Sequence, residues 1–296
     1  MAFLPTCPNP WRPTDFNLSR TKEYSIEPDI AHIVKTTSLL ESRADQYSDY
    51  LRAVFKGRDR TWMSAIDQWN SEEHQHGVVL RRLCEALPSD YDFESFMAEY
   101  TENVPYHDVD GQSVRGSVAA ELVARCFVEA SASTFYRVLA DATTDKTHRA
   151  VFITLSKDEA RHFGMFETML AAEETQHQQL SLWQKIKAVS SRLFELEDAQ
   201  IMGASAIVAG RSLAKKLVLR GESNRYLGYL YRHYRWKHVV YLVRLLLKTI
   251  GVKRSNVLVK CLSALFFMAL KLRWLLATIA NRLTFNFARD MIAHEA

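Results

Sequence analysis

Apolar residues recur at three- and four-residue spacing along most of the 296-residue chain, with no convincing run of alternating apolar and polar positions. This period is that of amphipathic helices, so the pattern predicts an all-α protein. Glycine, proline and short polar clusters separate the expected helices. The helices are expected at residues 27–56, 59–87, 90–103, 113–142, 145–174 and 178–197.

Charge divides the chain into two unlike parts. Residues 1–198 hold 21 Lys+Arg against 31 Asp+Glu, a net charge of −10, whereas residues 199–289 hold 17 Lys+Arg against Glu222 alone, a net charge of +16. We therefore expect a bundle domain over residues 1–198 and a basic helical region over residues 199–296. An acidic half is typical of a soluble enzyme domain, and a basic region indicates an anionic partner.

The basic region is also apolar and aromatic, most clearly at residues 227–250 and 256–283. Its longest uncharged run, Cys261 to Leu270, is far shorter than the ~20 residues of a simple transmembrane helix. Two interpretations remain open for residues 227–283. In the first interpretation, these residues form helices that lie in the membrane interface, with lysine and arginine on anionic headgroups. In the second, they form helices packed on the bundle or at a dimer seam. We expect no nucleic-acid partner, because no binding motif is visible.

A Glu-x-x-His step occurs twice, at Glu73 to His76 and at Glu159 to His162. Residues three apart on a helix project from one face, so each step places a carboxylate beside an imidazole. Two such steps on two helices are the pattern by which four-helix bundles hold two metal ions. A single copy would be weak evidence, because this spacing is common on solvated helices.

Each pair needs one further carboxylate from the preceding helix. Glu41 lies 32 residues before Glu73, and Glu129 lies 30 residues before Glu159, which leaves room for a turn and an antiparallel return. Asp45 and Glu121 are the competing choices. Glu41 and Glu129 are favoured because both follow apolar residues, where a lone carboxylate would be costly.

The predicted ligand set is therefore four carboxylates and two imidazoles holding two ferrous ions. Four carboxylates neutralise the charge of both ions in a buried site. Glu72, His74 and Asp158 adjoin the two steps and are expected at the surface or just outside the ligands. Asp158 is a candidate to orient a ligating imidazole.

The residues around these steps carry a family resemblance. WNSEEHQHG resembles the W-x-x-E-E-x-x-H-G segment of the soluble acyl-carrier-protein desaturases, and LSKDEARHF resembles their second D-E-x-x-H segment. PWRPTDF at residues 10–16 is similar to the entry segment of that family, and Tyr47 stands six residues after Glu41 as it does around their first ligand. The resemblance covers about residues 8–175.

This resemblance implies a ferritin-like four-helix bundle with extra helices, and a homodimer. It implies that the iron ligands are Glu41, Glu73, His76, Glu129, Glu159 and His162. It also implies an electron route to the iron through Trp11, Asp158 and His76. The family has a threonine near the oxygen site where this chain has Ala132, with Ser131 and Ser133 beside it as candidate replacements.

The expected activity is an O₂-dependent desaturation that places a cis double bond in an acyl chain on acyl carrier protein, with electrons from a ferredoxin-like donor. A di-iron hydroxylase or N-oxygenase is the main alternative, and a ferroxidase is a weaker one. The chain has no C-x-x-C pair and no signal-peptide pattern. We therefore expect a cytoplasmic setting, at the inner face of the membrane if residues 227–283 bind it.

Overall fold

The computed structural model describes residues 10–18, 26–87, 91–104, 111–177, 179–194, 199–210 and 216–294. Over these residues the protein is all-helical, with 11 α-helices and no strand, which confirms the predicted fold class. The helices are α1 (Pro28–Glu41), α2 (Ala44–Val54), α3 (Arg60–Glu85), α4 (Phe93–Asn103), α5 (Val118–Ala142), α6 (Lys146–Gln176), α7 (Leu182–Phe194), α8 (Ala199–Val208), α9 (Lys216–His233), α10 (Trp236–Thr249) and α11 (Asn256–His294). The predicted boundary at residue 198 lies outside the described residues.

Four of the helices begin at a polar cap that the sequence supplies. The side chains of Asp59, Asp92, Ser117 and Asp145 accept hydrogen bonds from backbone N–H groups in the first turns of α3, α4, α5 and α6. Such caps satisfy N–H groups that have no partner within the helix. They fix where α3, α5 and α6 begin, and these three helices carry most of the predicted ligands.

The predicted helix over residues 27–56 was wrong in one respect, because it divides into α1 and α2 directly after Glu41. At the break, the Arg43 guanidinium turns inward and donates a 2.8 Å hydrogen bond to the Val104 carbonyl. Gly77 of α3 lies against the break, and a Cβ atom there would stand 3.2 Å from the Ser42 Cα atom. Neither glycine nor proline marks this position, so periodicity alone could not reveal the break.

Helices α1, α3, α5 and α6 surround the predicted ligands, and α5 and α6 form the most extensive of the helix pairs. Two of the three apolar clusters among the described residues lie along these helices. Along α3 the ligand segment falls between Trp69 of one cluster and Val79 of the other, and along α6 it falls between Leu155 and Phe163. The polar residues therefore lie in a layer enclosed by apolar packing at both ends.

The basic carboxy-terminal helices pack on this bundle. Ala204, Ile207 and Tyr226 belong to one of the bundle's apolar clusters, α10 packs on α5, and α11 packs on α9 and α10. Among the described residues there is one helical stretch, Asn256–Ala280, that is long and apolar enough to cross a membrane by length and composition. Its mean hydropathy is 1.6. The uncharged run Cys261 to Leu270 is shorter than this apolar stretch because Lys260, Lys271 and Arg273 interrupt the stretch.

Candidate metal centre

The six predicted ligands converge in the layer between the two apolar clusters. Glu73 and His76 project from α3, Glu159 and His162 project from α6, and Glu129 projects from α5. These five side chains are buried. Glu41, the last residue of α1, is half-buried and completes the group.

Glu73 and Glu159 lie between the two imidazoles and contact both. The Nδ1 atom of His76 is 3.3 Å from Glu73 Oε2 and 3.2 Å from Glu159 Oε1. The Nδ1 atom of His162 is 3.0 Å from Glu73 Oε1 and 3.5 Å from Glu159 Oε2. The sequence predicted Glu73 with His76 for one metal and Glu159 with His162 for the other, each with one further carboxylate, whereas in the structure both glutamates contact both imidazoles.

Glu41 and Glu129 belong to two different groups around this central pair. The ligand atoms of Glu73, Glu129, Glu159 and His162 lie within 4.8 Å of one another, and a second group joins Glu41 to Glu73 and His76. The arrangement thus offers two neighbouring positions that share Glu73, with one terminal carboxylate at each.

The residues fit a pair of metal ions on two observations. The Nδ1 atoms of His76 and His162 are buried and lie 3.0 to 3.5 Å from oxygens of Glu73 and Glu159, but none of these contacts has hydrogen-bond geometry. Buried polar atoms are nearly always paired, so these two nitrogens are free for a ligand. The donor set of carboxylate oxygens and imidazole nitrogens is the one that di-iron and di-manganese bundles use.

The competing carboxylates are engaged elsewhere. Glu121 is buried but accepts 2.8 Å hydrogen bonds from Tyr50 Oη and Ser113 Oγ. Asp45 is exposed and accepts a 2.8 Å hydrogen bond from Asn70. The structure therefore brings together the glutamates that the sequence favoured and leaves the two rivals outside the group.

The outer nitrogen of His76 faces Asp158, as the sequence suggested. His76 Nε2 is 3.4 Å from Asp158 Oδ2, and the same oxygen accepts a 2.7 Å hydrogen bond from the indole N–H of Trp11. The Trp11 ring also stacks on the His76 ring, with 6.2 Å between centroids and 11° between planes. Trp11, Asp158 and His76 therefore form a continuous contact from the half-buried indole to the ligand group.

Glu72 lies just outside the ligands, which is one of its two expected positions, but the sequence assigned it no specific partner. Its Oε2 atom accepts a 2.8 Å hydrogen bond from His162 Nε2, and Arg161 bonds both Glu72 and Asp158, at 2.6 Å and 2.9 Å. Each acid that precedes a Glu-x-x-His step thus orients the imidazole of the other step. The signal was present in the sequence, because both steps are preceded by an acidic residue.

Burial and mutual repulsion act unequally on the four carboxylates. Burial raises the pKa of Glu41 and of Glu129 well above its ordinary value, and the charges of Glu73 and Glu159 raise both further. Burial also raises the pKa of the two central carboxyls, but the close contacts with the imidazoles and their charges outweigh it. The pKa of Glu73 is held well below its usual value, and that of Glu159 is lowered.

The imidazoles show the opposite balance. Burial lowers the pKa of His76 and His162, but the close contacts with the surrounding carboxylates outweigh it and raise the pKa of both well above the ordinary value. Because metal ligation requires neutral imidazole, a metal ion and protons compete for the same nitrogen atoms.

Two further side chains hold the terminal carboxylates. Buried Arg125 donates a 2.6 Å hydrogen bond to Glu129 Oε1, and its guanidinium lies 5.0 Å from the centroid of the Trp69 ring. Buried Tyr136 donates a 2.6 Å hydrogen bond to Glu41 Oε1. Each terminal ligand is therefore positioned by a neighbour on α5.

The two serines predicted near an oxygen site face different surroundings. Ser131 Oγ is buried without a hydrogen-bond partner, and Ser131 and Ala132 line a cavity beside the carboxylates. Ser133 instead donates a 2.8 Å hydrogen bond to the Ser156 carbonyl, and its hydroxyl lies 3.0 Å from Tyr241 Oη. Ser131, rather than Ser133, stands at the cavity wall.

A cavity of about 300 Å³ adjoins the carboxylates. Glu41, Glu73, Glu129 and Glu159 form part of its wall, and most of the rest is aromatic or aliphatic. The basic helices contribute Tyr226, Leu230, Tyr234, Leu242, Phe266 and Leu270. The carboxy-terminal region is therefore part of the cavity wall and not an appendage of the bundle.

No protein-family model matches the chain. No curated protein matches it either.

Proposed function

We propose that the protein is a di-iron oxidoreductase that uses O₂ and an external electron donor to insert a double bond into an acyl chain. The observation that supports this most strongly is the apolar cavity of about 300 Å³ with four ligand carboxylates in its wall. Its volume is at the lower end of the ~300–1,000 Å³ typical of ligand pockets. The lining suits a hydrocarbon chain held against the ligand group.

Two iron ions held by the six side chains would supply the reduction of O₂ and the abstraction of hydrogen from carbon. The overall reaction removes one hydrogen atom from each of two adjacent carbons. It also takes two electrons and two protons from outside, and both oxygen atoms leave as water. The external donor is therefore a stoichiometric requirement.

The chain's own residues have three tasks in this proposal. Arg125 and Tyr136 hold the terminal carboxylates Glu129 and Glu41 by hydrogen bonds. The aromatic and aliphatic wall keeps water away from the reacting carbons. The contact from Trp11 through Asp158 to His76 supports an entry route for electrons.

The proposed substrate carrier is acyl carrier protein, and the proposed donor is ferredoxin-like. An acidic carrier is attracted to the basic residues 199–289, since charge complementarity guides such encounters. A ferroxidase or storage role is less well supported, because such a role has no use for an apolar cavity beside the ligands.

The test is to incubate the reduced, iron-loaded protein with saturated acyl carrier protein, O₂ and a reductant, and to measure the mass of the acyl product. Loss of two hydrogen atoms supports the proposal. A product that only gains one oxygen atom would establish a hydroxylase instead. Unchanged acyl chains together with rapid oxidation of free ferrous iron would favour the ferroxidase.

A further inference from the structure

The outer face of α11 exposes large aliphatic side chains in a continuous row. They are 46% to 61% exposed, and only 11% of the most apolar window of Asn256–Ala280 is buried. We call this row the α11 stripe, and it consists of Leu265, Met268, Leu272, Leu275, Leu276 and Ile279. Soluble monomers rarely leave an extended apolar surface uncovered, so the stripe indicates a partner.

The stripe occupies one side of the helix. With 3.6 residues per turn, its members fall within an arc of about 100°. Buried Val259, Ser263 and Ala277 lie on the other side of the helix, as do Phe266 and Leu270, which line the cavity. The helix is thus apolar on both sides, and its inner side already has a partner in α9 and α10.

Cations border the stripe. By the same helical geometry, exposed Lys260 lies along one edge, and exposed Lys253 and Arg254 precede the helix. Lys271 lies on the same edge as Lys260, but its ammonium contacts the Tyr231 and Arg232 carbonyls. An apolar strip bordered by cations is the arrangement of helices that lie in a membrane interface, with aliphatic groups among acyl chains and cations on anionic headgroups.

A helix that spans the bilayer fits the contacts less well. Helices α9 and α10 lie alongside α11, so a spanning α11 would carry them into the hydrocarbon. Helix α10 is fastened to the bundle by ion pairs from Lys237 to Asp141 and from Lys248 to Glu167. Exposed Arg232 and Lys237 would also enter the apolar layer, which is costly.

We propose that the α11 stripe docks the protein on the surface of an anionic lipid bilayer, with α11 parallel to the membrane plane. This places the helix that walls the cavity next to a layer of acyl chains. The inference does not depend on the reaction proposed above, because membrane docking requires no turnover.

The experiment is co-sedimentation of the full-length protein with vesicles of phosphatidylcholine alone or mixed with phosphatidylglycerol. We expect binding to the mixed vesicles at low salt, weaker binding as salt rises, and weak binding to phosphatidylcholine alone. Leu272→Glu should weaken binding about tenfold or more, since a buried leucine contributes ~1.5–3 kcal/mol. Val114→Glu, which adds the same charge at an exposed position before α5, should bind like the parent protein.

A second variant keeps the test valid if Leu272→Glu fails to fold. Lys253→Glu combined with Arg254→Glu leaves the stripe intact, and it should reduce binding to phosphatidylglycerol vesicles and lessen the salt dependence. The proposal is overturned if the parent protein fails to bind either vesicle at low salt, or if Leu272→Glu binds as well as Val114→Glu. It is also overturned if Leu272→Glu converts a dimer to a monomer and leaves vesicle binding unchanged, since a second copy of the protein would then cover the stripe.

Discussion

The carboxylate of Glu72 accepts a 2.8 Å hydrogen bond from the outer nitrogen of His162, which belongs to the other Glu-x-x-His step. Asp158 faces His76 in the reciprocal way, with 3.4 Å between Asp158 Oδ2 and His76 Nε2. Each helix therefore orients the ligand of its neighbour, and the pairing links α3 to α6 across the site. Such outer partners fix the ring orientation of ligating histidines.

Glu72→Gln should lower the affinity for iron by about 10- to 100-fold, because it removes the negative partner of His162 Nε2. Titration of the metal-free protein with ferrous iron measures the effect. The control is Glu85→Gln. Glu85 lies on the same helix and forms an exposed pair with Arg81, so the substitution should leave the affinity for iron unchanged. Equal affinity of the two variants would contradict an orienting role for Glu72.

His162→Ala should reduce the iron content of protein produced in iron-rich medium from two ions per chain to one or none. The reason is that this imidazole contacts both central carboxylates. Glu121→Gln is the matched control, because Glu121 is a buried carboxylate outside the ligand group. Elemental analysis checks both variants, and a parent protein that holds no iron would refute the metal centre.

Arg125→Met should destabilise the protein by about 2 kcal/mol, because it leaves the buried Glu129 carboxyl without its hydrogen-bond partner. The side chains of Arg125 and Glu129 are both buried, at 8% and 2% exposure. Arg81→Met breaks an exposed pair and should cost at most about 1 kcal/mol. Urea denaturation followed by circular dichroism measures both free energies of unfolding. Similar losses would mean that the Arg125 pair contributes no more than a surface pair.

Asp29 should make stability depend on pH in the acid range. Burial raises the pKa of Asp29, but His233 and Arg232 outweigh it and hold the pKa below the ordinary value of 3.8. The carboxylate therefore stabilises the folded protein above about pH 4, and this contribution is lost as the pH falls through the folded-state pKa.

The measurement is the difference in unfolding free energy between the parent protein and Asp29→Asn at several pH values. This difference should shrink as the pH falls below about 4, where the folded-state carboxylate becomes protonated. Asp67→Asn, at an exposed position paired with Arg52, should show a smaller difference across the same range. A difference for Asp29→Asn that grows as the pH falls below about 4 would contradict the prediction.

Ala132→Leu should abolish acyl turnover while the iron content is retained, because Ala132 lines the cavity and is not among the six ligands. Added methylene groups there would occupy space that the acyl chain needs. Ala98→Leu on the exposed side of α4 is the control and should keep full turnover. Product analysis and elemental analysis of the same sample separate loss of substrate space from loss of metal.

Some of this architecture follows from local geometry. A three-residue step on a helix places Glu73 beside His76 in any packing, so the two steps and the apolar period predict helices that carry candidate metal ligands. The preference for Glu129 over Glu121 also followed from the chain, since an isolated carboxylate among apolar residues needs a partner. The break after Glu41 was not predictable, because Arg43 turns inward to a carbonyl 61 residues away in the chain.

The sequence by itself therefore determined the helical class, the two ligand steps and the opposite charges of the two halves. The tertiary structure decided which carboxylates lie between both imidazoles and which acid orients each ring. It also decided that the basic helices form part of the cavity wall. Those features depend on contacts between side chains far apart in the chain, such as Glu72 and His162. Helical periodicity indicates which face of a helix is buried, but it does not indicate which distant residue that face contacts.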